Sequence, residues 1–347
     1  MKQFLKRYGG PVYVGALTLV VVLALMLSDE MPRVIRSMSN LDARWIFRAA
    51  LSVAAYLLLR AVTIIYYLWR EGVKISPLNA LHVTLIGQFY SAITPSSSGG
   101  QPLQVVTMRQ MGVPLSTATA TVSVKFIGFQ LAFMLVGGAL WATHIQAVNA
   151  HLRGVRYLVV VGYLINATMI VLVALTMRKS RTVERIVEGL VRLGVRMHLL
   201  KDAGKTAAKA QAALEDYRGA LKRLIDRPLD ALMVFVLSCL QVLSLMGVIV
   251  CVYRAFGLRG TSPGELLTLQ LLLFITAAFV PLPGAAGAQE GGFYLFFRGV
   301  FPDQHILAAM LCWRFFTYYL LLLSGLAGVV ANSVHVSLAG RRNDDDV

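Results

Sequence analysis

The sequence is poor in charge and poorer still in acid. Only 14% of its 347 residues are Asp, Glu, Lys or Arg, where a soluble domain carries about 25%. Acidic residues number 17 against 33 basic ones. With 57% hydrophobic residues and a mean hydropathy of +0.67, the apolar surface is too large for a water-facing exterior to hide. Length is then better counted in membrane crossings of about 20 residues each than in soluble domains. Cysteine is scarce too. Cys239, Cys251 and Cys312 are odd in number, sit inside apolar runs and share no metal-ligand spacing, so they read as small core residues without disulfides.

Signatures of catalysis are missing as well. No phosphate-binding loop, dinucleotide-binding glycine pattern, HExxH or paired-cysteine metal site occurs. The run Ser96-Ser97-Ser98 has no evident His and Asp partners at matching depth, which argues against an intramembrane serine hydrolase. The longest polar stretch, residues 178–227, is too short and too charged for a transferase domain. No catalytic residue, metal or cofactor is expected, and ATP-driven transport would need a partner carrying the nucleotide site. A net charge of +16 often marks nucleic-acid binding, but here the basic residues cluster in loops between apolar spans. Topology control and attraction to anionic lipid at the cytoplasmic face explain them better.

What the chain does have is apolar segments of spanning length, at about 11–28, 45–69, 114–142, 156–177, 229–256 and 305–335. The first resembles a signal peptide, but no small-x-small cleavage site follows it, so a retained helix is expected. Two further apolar segments, 78–110 and 263–300, are broken at Thr94-Pro95-Ser96-Ser97-Ser98-Gly99-Gly100-Gln101-Pro102 and at Pro281–Gly292. Proline removes a backbone donor and glycine weakens a helix, so each should form two half-helices meeting at a tip. Non-helical backbone at that depth persists only when buried in protein or lining a wet cavity. The expected fold is an all-α polytopic membrane protein of six spanning helices plus two re-entrant helical hairpins.

Residues 178–227 carry thirteen Lys or Arg and have helical character, which places them in the cytoplasm together with Lys2, Lys6, Arg7, Arg341 and Arg342. Six crossings return both termini to that side. The broken segments match at a nearly fixed offset: Pro95, Gly99 and Gln101 against Pro283, Gly287 and Gln289, then Arg109 and Lys125 against Arg298 and Arg314. They enter from opposite faces, so the halves read as inverted repeats, a hallmark of secondary transporters. The expected organisation is one transmembrane domain over 1–347: repeat one at about 45–142, a cytoplasmic basic helical segment at 178–228 and repeat two at about 229–335. The bland alternative is two hairpins that merely fill the bundle.

Lys125 and Arg314 fall near mid-membrane, where an unpaired cation is costly and needs a carboxylate, carbonyls or an anionic ligand. Glu290 is the acid placed deep among the apolar segments, and it cannot neutralise Lys125, Arg314 and Arg60 together. Surplus buried positive charge suits an anionic headgroup such as a phosphate. The candidate binding set is Lys125, Arg314, Glu290, Gln101, Gln289, Arg109, Arg298 and Arg60, with Ser97, Ser98, Gly99, Gly100 and Gly287 at the tips. Ordinary helix capping is the competing reading for the serines, and a structural ion pair for Glu290.

The first break, Gln88-Phe89-Tyr90-Ser91-Ala92-Ile93-Thr94-Pro95 through Gly99-Gly100-Gln101, then Arg109 and Gly112, resembles a signature of the lysylphosphatidylglycerol synthase transmembrane (flippase-like) family. Pro281-Leu282-Pro283-Gly284 through Gly287, followed by Glu290, resembles its second signature, with Ala285 and Ala286 where relatives often carry more glycine. The resemblance spans roughly 10–335. It implies a module that flips aminoacylated phosphatidylglycerol made by a separate cytosolic synthase domain. With the chain ending at Val347, a stand-alone member without that domain is expected, similar to proteins proposed to move polyprenyl or other lipid carriers. The leading expectation is a flippase in a bacterial cytoplasmic membrane with a phosphate-bearing lipid as substrate. The alternatives are an enzyme, or a subunit of one, acting on lipid-linked substrates, and a scaffold for a lipid synthase. A homodimer or a partner lipid synthase is compatible with each.

Overall fold

Prolines, glycines and serines set where the helices begin and end. A computed structural model describes residues 31–152, 156–177, 222–278 and 280–331, together with 215, 218 and 219. The predicted crossing at 11–28 and most of the basic segment 178–228 lie outside the described residues, as do the terminal basic residues. The elements are α1 (Met31–Ser39), α2 (Ala43–Arg70), α3 (Pro77–Ile93), α4 (Gly100–Gln110), α5 (Leu115–Thr143), α6 (Ile145–His151), α7 (Arg156–Met177), α8 (Pro228–Met246), α9 (Val248–Ala255), α10 (Pro263–Ala277), α11 (Ala288–Phe297) and α12 (Asp303–Arg314). A π turn, Phe315–Tyr319, carries α12 onward to Ala331. Among the described residues there is no strand. The protein is an all-α membrane protein.

Among the described residues, four helices are long and apolar enough to cross a membrane: Ala43–Arg70, Leu115–Thr143, Pro228–Ala255 and Asp303–Ala331. They coincide with the crossings expected at 45–69, 114–142, 229–256 and 305–335. Each has 28 or 29 residues, about 42 Å of helix at 1.5 Å per residue, more than an apolar core of about 30 Å requires. Apolar side chains such as Phe47, Leu51, Leu58, Leu135, Leu232 and Leu323 stay exposed along them, as a lipid-facing surface demands. The segment expected at 156–177 is the apolar helix α7.

The two broken segments fold by the same local rules. Ser76 and Ser262 cap α3 and α10, their hydroxyls accepting from Asn79 N and Glu265 N, with Pro77 and Pro263 at the first helical position. Glycines at positive φ, Gly72 (77°) and Gly257 (74°), stand just after the preceding helices. At the tips the backbone repeats residue for residue. Thr94 (φ −110°, ψ 146°) and Leu282 (−110°, 148°) precede Pro95 and Pro283. Then Ser96 (51°, 25°) and Gly284 (60°, 17°) both enter the left-handed region, and Ser97 (φ 55°) and Ala285 (φ 49°) follow them there. Thr94-Pro95-Ser96-Ser97 and Leu282-Pro283-Gly284-Ala285 thus share one bend despite sharing only proline.

Beyond the bend the segments diverge: Gly99 has φ −78°, Gly287 has φ 82°. The next helices also differ in register. Pro114 and Pro302 both stand in extended backbone before α5 and α12. Lys125 is then the eleventh residue of α5, and Arg314 the twelfth of α12. One residue is about 100° of rotation, so the two cations do not present the same face.

Helices α2 and α8–α9 run antiparallel and are joined along their length. Asp42 N donates to Ala255 O at one end, followed by Ser52 Oγ to Ser244 O (2.6 Å) and Gln241 Nε2 to Thr63 Oγ1 (2.8 Å). At the other end Asp230 accepts from Tyr66 Oη (2.7 Å) and Arg70 Nε (2.9 Å), and Arg223 and Arg227 pair with Glu71 at 3.3 and 3.6 Å. Asp230, 5% exposed, is therefore a second acid withdrawn from water besides Glu290. The second half is packed by aromatics. Phe293 stacks on Phe297 and tilts against Trp313, and Phe274 meets Trp313 edge-on.

Candidate functional site

Arg314 closes the second tip. Its Nη2 donates to the Gly284 carbonyl at 2.7 Å. Its Nε lies 2.7 Å from Glu290 Oε1, an ion pair by distance rather than an aligned hydrogen bond. The other oxygen of Glu290 accepts from Gly287 N at 2.6 Å, which is the returning half of a capping box at the start of α11. Beneath the guanidinium lies the ring of Tyr318, 4.4 Å from the Arg314 Cζ and one turn along the same helix. A carboxylate, a carbonyl and an aromatic face thus surround one buried cation, and each holds a different part of the tip.

Gly284 is where only glycine serves. Its φ is positive, and a Cβ there would run into the Tyr318 ring. At the matching position Ser96 bears a side chain in the same left-handed conformation and is exposed. The first tip is closed by its own residues: Thr94 Oγ1 donates to Tyr90 O (2.6 Å) and accepts from Gly99 N (2.9 Å), while Ser98 Oγ donates to Pro95 O (2.9 Å). Non-glycine residues at positive φ cost of order 1–3 kcal/mol each and gather at working sites; here Ser96, Ser97 and Ala285 all lie at the tips.

The tips touch each other. The Pro95–Ser97 turn packs on the Pro283–Ala285 turn, and α3 also reaches the second turn. Tyr318 Oη donates to Ala92 O at 3.0 Å, fastening the helix behind the second tip to the last turn of α3. Gly325 and Gly328 let the same helix approach Phe89 and Leu85 of α3, since a Cβ at either would overlap them.

Lys125 has no such clasp. It is 6% exposed, and its Nζ donates to Gln104 Oε1 at 2.7 Å. Gln104, from α4, lies across Gly87 of α3, where a Cβ would occupy the space of its side chain. Because an ammonium only donates, the Gln104 oxygen must be the atom facing Lys125, which leaves Nε2 as a buried donor without an acceptor. Arg60 stands on α2 beside Ala61, which packs in one apolar cluster with Val122 of α5, three residues before Lys125. The Arg60 Nη1 donates to Tyr56 Oη at 2.6 Å, and its buried Nε has no partner.

The predicted residues therefore separate into groups. Arg314, Glu290 and Gly287 meet in the clasp, and Lys125 and Arg60 share a second centre. Gln289 is buried with its Oε1 unpartnered. Gly100 is buried against Ser91 and Gly87, a close approach rather than a ligand contact. Ser97, Gln101, Arg109 and Arg298 are exposed, and Ser98 and Gly99 are engaged in closing their own tip. Sequence reasoning missed Gln104, Tyr318 and Tyr56, and left Gly284 of the second signature outside the candidate set. Gln104 had a signal: Gly100, Gln104, Thr107 and Met108 form the buried stripe of α4 at helical spacing, and Gln101 falls off it. Among the described residues no group of His, Cys, Asp and Glu could hold a metal ion. A surface depression lined by Asn40, Asp42, Trp45, Arg254 and Arg259 shares no residue with either buried centre.

Residues 12–325 match the profile of a family described as Lysylphosphatidylglycerol synthase TM region. A protein named UPF0104 membrane protein, from Archaeoglobus fulgidus, is 23% identical over 249 residues, covering 72% of this chain and 74% of that protein.

Proposed function

Since the chain belongs to the lysylphosphatidylglycerol synthase TM region family, we propose that it is a lipid flippase or transporter, working without chemical turnover. It moves a phospholipid or lipid-linked carrier across a bacterial cytoplasmic membrane, with the headgroup held between two re-entrant hairpins, α3–α4 and α10–α11. The observation that carries this reading is the pair of touching tips, each backed by a buried cation: Lys125 behind the first, Arg314 behind the second. The antiparallel course of α2 and α8–α9, the helices that precede the two hairpins, supports an inverted repeat. Strained tip backbone supports a working role for the hairpins. The acidic and basic residues gathered where α2 ends and α8 begins adjoin the basic segment, and the positive-inside rule puts that end, with both termini, in the cytoplasm.

The test is transbilayer movement. Purified protein is reconstituted into vesicles of phosphatidylcholine and phosphatidylglycerol carrying a trace of fluorescent phosphatidylglycerol, and the loss of outer-leaflet label is followed. The protein should accelerate exchange over empty vesicles, and K125A and R314A should each slow it. Equal rates in wild type and both variants would remove the mechanism.

A further inference from the structure

The two buried centres are electrically unlike. Arg314 already has Glu290, a carbonyl and an aromatic face. Lys125 and Arg60 have no carboxylate among the described residues; their neutral partners are Gln104 Oε1 and Tyr56 Oη. The buried side-chain atoms left without a partner at this second centre are both donors, Gln104 Nε2 and Arg60 Nε, and the Lys125 ammonium keeps protons beyond the one given to Gln104. Gln104 and Lys125 are 2% and 6% exposed, so water does not satisfy their donors freely, and Arg60 is half-buried with its Nε enclosed. Buried charge is sustained only when it is paired and hydrogen-bonded. A group supplying only acceptor oxygens and two negative charges would meet both needs at once.

We propose that Lys125, Arg60 and Gln104 form a subsite for a phosphomonoester-type group, while the Arg314–Glu290 pair holds the second tip in shape and does not bind the anion. A terminal phosphate monoester carries about −1.5 to −2 charge at neutral pH and offers three acceptor oxygens. A phosphodiester carries one charge and would leave one of the two cations unbalanced. The Arg60 fork can take two oxygens side by side, and Lys125 a third as a point charge. Gln104 serves as the positioning residue: its oxygen fixes the Lys125 ammonium while its amide nitrogen is seated against Gly87 of α3. The proposal rests on the lipid reading above and deepens it by naming the headgroup class.

Binding is read on the full chain in detergent, by thermal shift on titration with dioctanoyl phosphatidic acid, dioctanoyl phosphatidylglycerol or inorganic phosphate. The monoester lipid should bind about tenfold or more tightly than the diester lipid, the scale expected of one charge-assisted hydrogen-bonded contact. K125Q and R60Q should each abolish that preference and K125R restore it, so loss through misfolding is told apart by the K125R arm and by an unchanged elution profile. Equal affinity for the two lipids, or a preference that survives K125Q, overturns the subsite. Inorganic phosphate binding as tightly as phosphatidic acid and competing with it would also overturn the lipid assignment, making the ligand a free anion. The transport assay separates the two ideas: lipid exchange without the monoester preference sinks the subsite alone, and the preference without lipid exchange sinks the transporter reading alone.

Discussion

The Tyr318 hydroxyl donates to the Ala92 carbonyl at 3.0 Å across 226 residues of sequence, while the face of the same ring supports Arg314. One side chain therefore belongs to both hairpins. It bonds the last turn of the first half-helix and underlies the cation that holds the second tip. Y318F keeps the ring and removes only the bond. It should lower stability by about 0.5–1.5 kcal/mol, the usual net worth of a hydrogen bond. Y318A also removes the aromatic face and should cost several times more. Denaturant unfolding in detergent micelles measures both; a Y318F protein as labile as Y318A would show that the ring contributes nothing.

The matched bends predict unequal tolerance. G284A places a Cβ in the left-handed region and against the Tyr318 ring, and should destabilise by about 1–3 kcal/mol. S96G relieves a left-handed serine on an exposed tip and should be neutral or stabilise by up to about 1 kcal/mol. The pair is checked by comparing unfolding midpoints of the two single variants. Similar losses in both would contradict the structural equivalence of the two bends.

The ion pair behind the second tip makes a third prediction. E290Q leaves Arg314 without its carboxylate, and breaking a buried pair costs about 3–5 kcal/mol. Glu290 keeps 25% of its side chain accessible, so solvent screening should bring the loss to the lower end or below. Adding R314M removes the stranded cation, and the double variant should be less destabilised than E290Q and R314M together. A double-mutant cycle with additive losses would mean that the two charges do not interact.

Gly87 governs the other centre. G87A displaces the Gln104 side chain from its seat on α3 and with it the acceptor of the 2.7 Å bond from Lys125. Overpacking of this kind costs about 1–3 kcal/mol. Q104A should rescue part of the loss in the G87A background, since the overlapping atoms are then gone. Unfolding midpoints of the two singles and the double variant decide it, and a double variant no more stable than G87A would refute the contact.

Legibility in the sequence followed the range of the forces. The tips, the caps and the four long spans could be read because proline, glycine, serine and apolar runs act on their own neighbours: Pro95 and Pro283 bend the chain wherever they stand, and Ser76 and Ser262 cap whatever helix follows. Lys125 and Arg314 were conspicuous because charge inside an apolar helix is costly in any arrangement. Glu290 stood out as an acid able to pair with one of them, but which cation it takes and what the other meets were not legible. The offset that pairs them in sequence conceals one residue of helical register after Pro114 and Pro302, and about 100° of rotation turns one cation toward Gln104 and the other toward a tip. Which glutamine of α4 faces inward depended likewise on which stripe of that helix packs on Gly87. Sequence by itself determined where the chain must break and which charges must be withdrawn from water; tertiary structure decided which of those charges is neutralised by a carboxylate and which is left with donors alone, because that choice is made by packing between helices far apart in the chain.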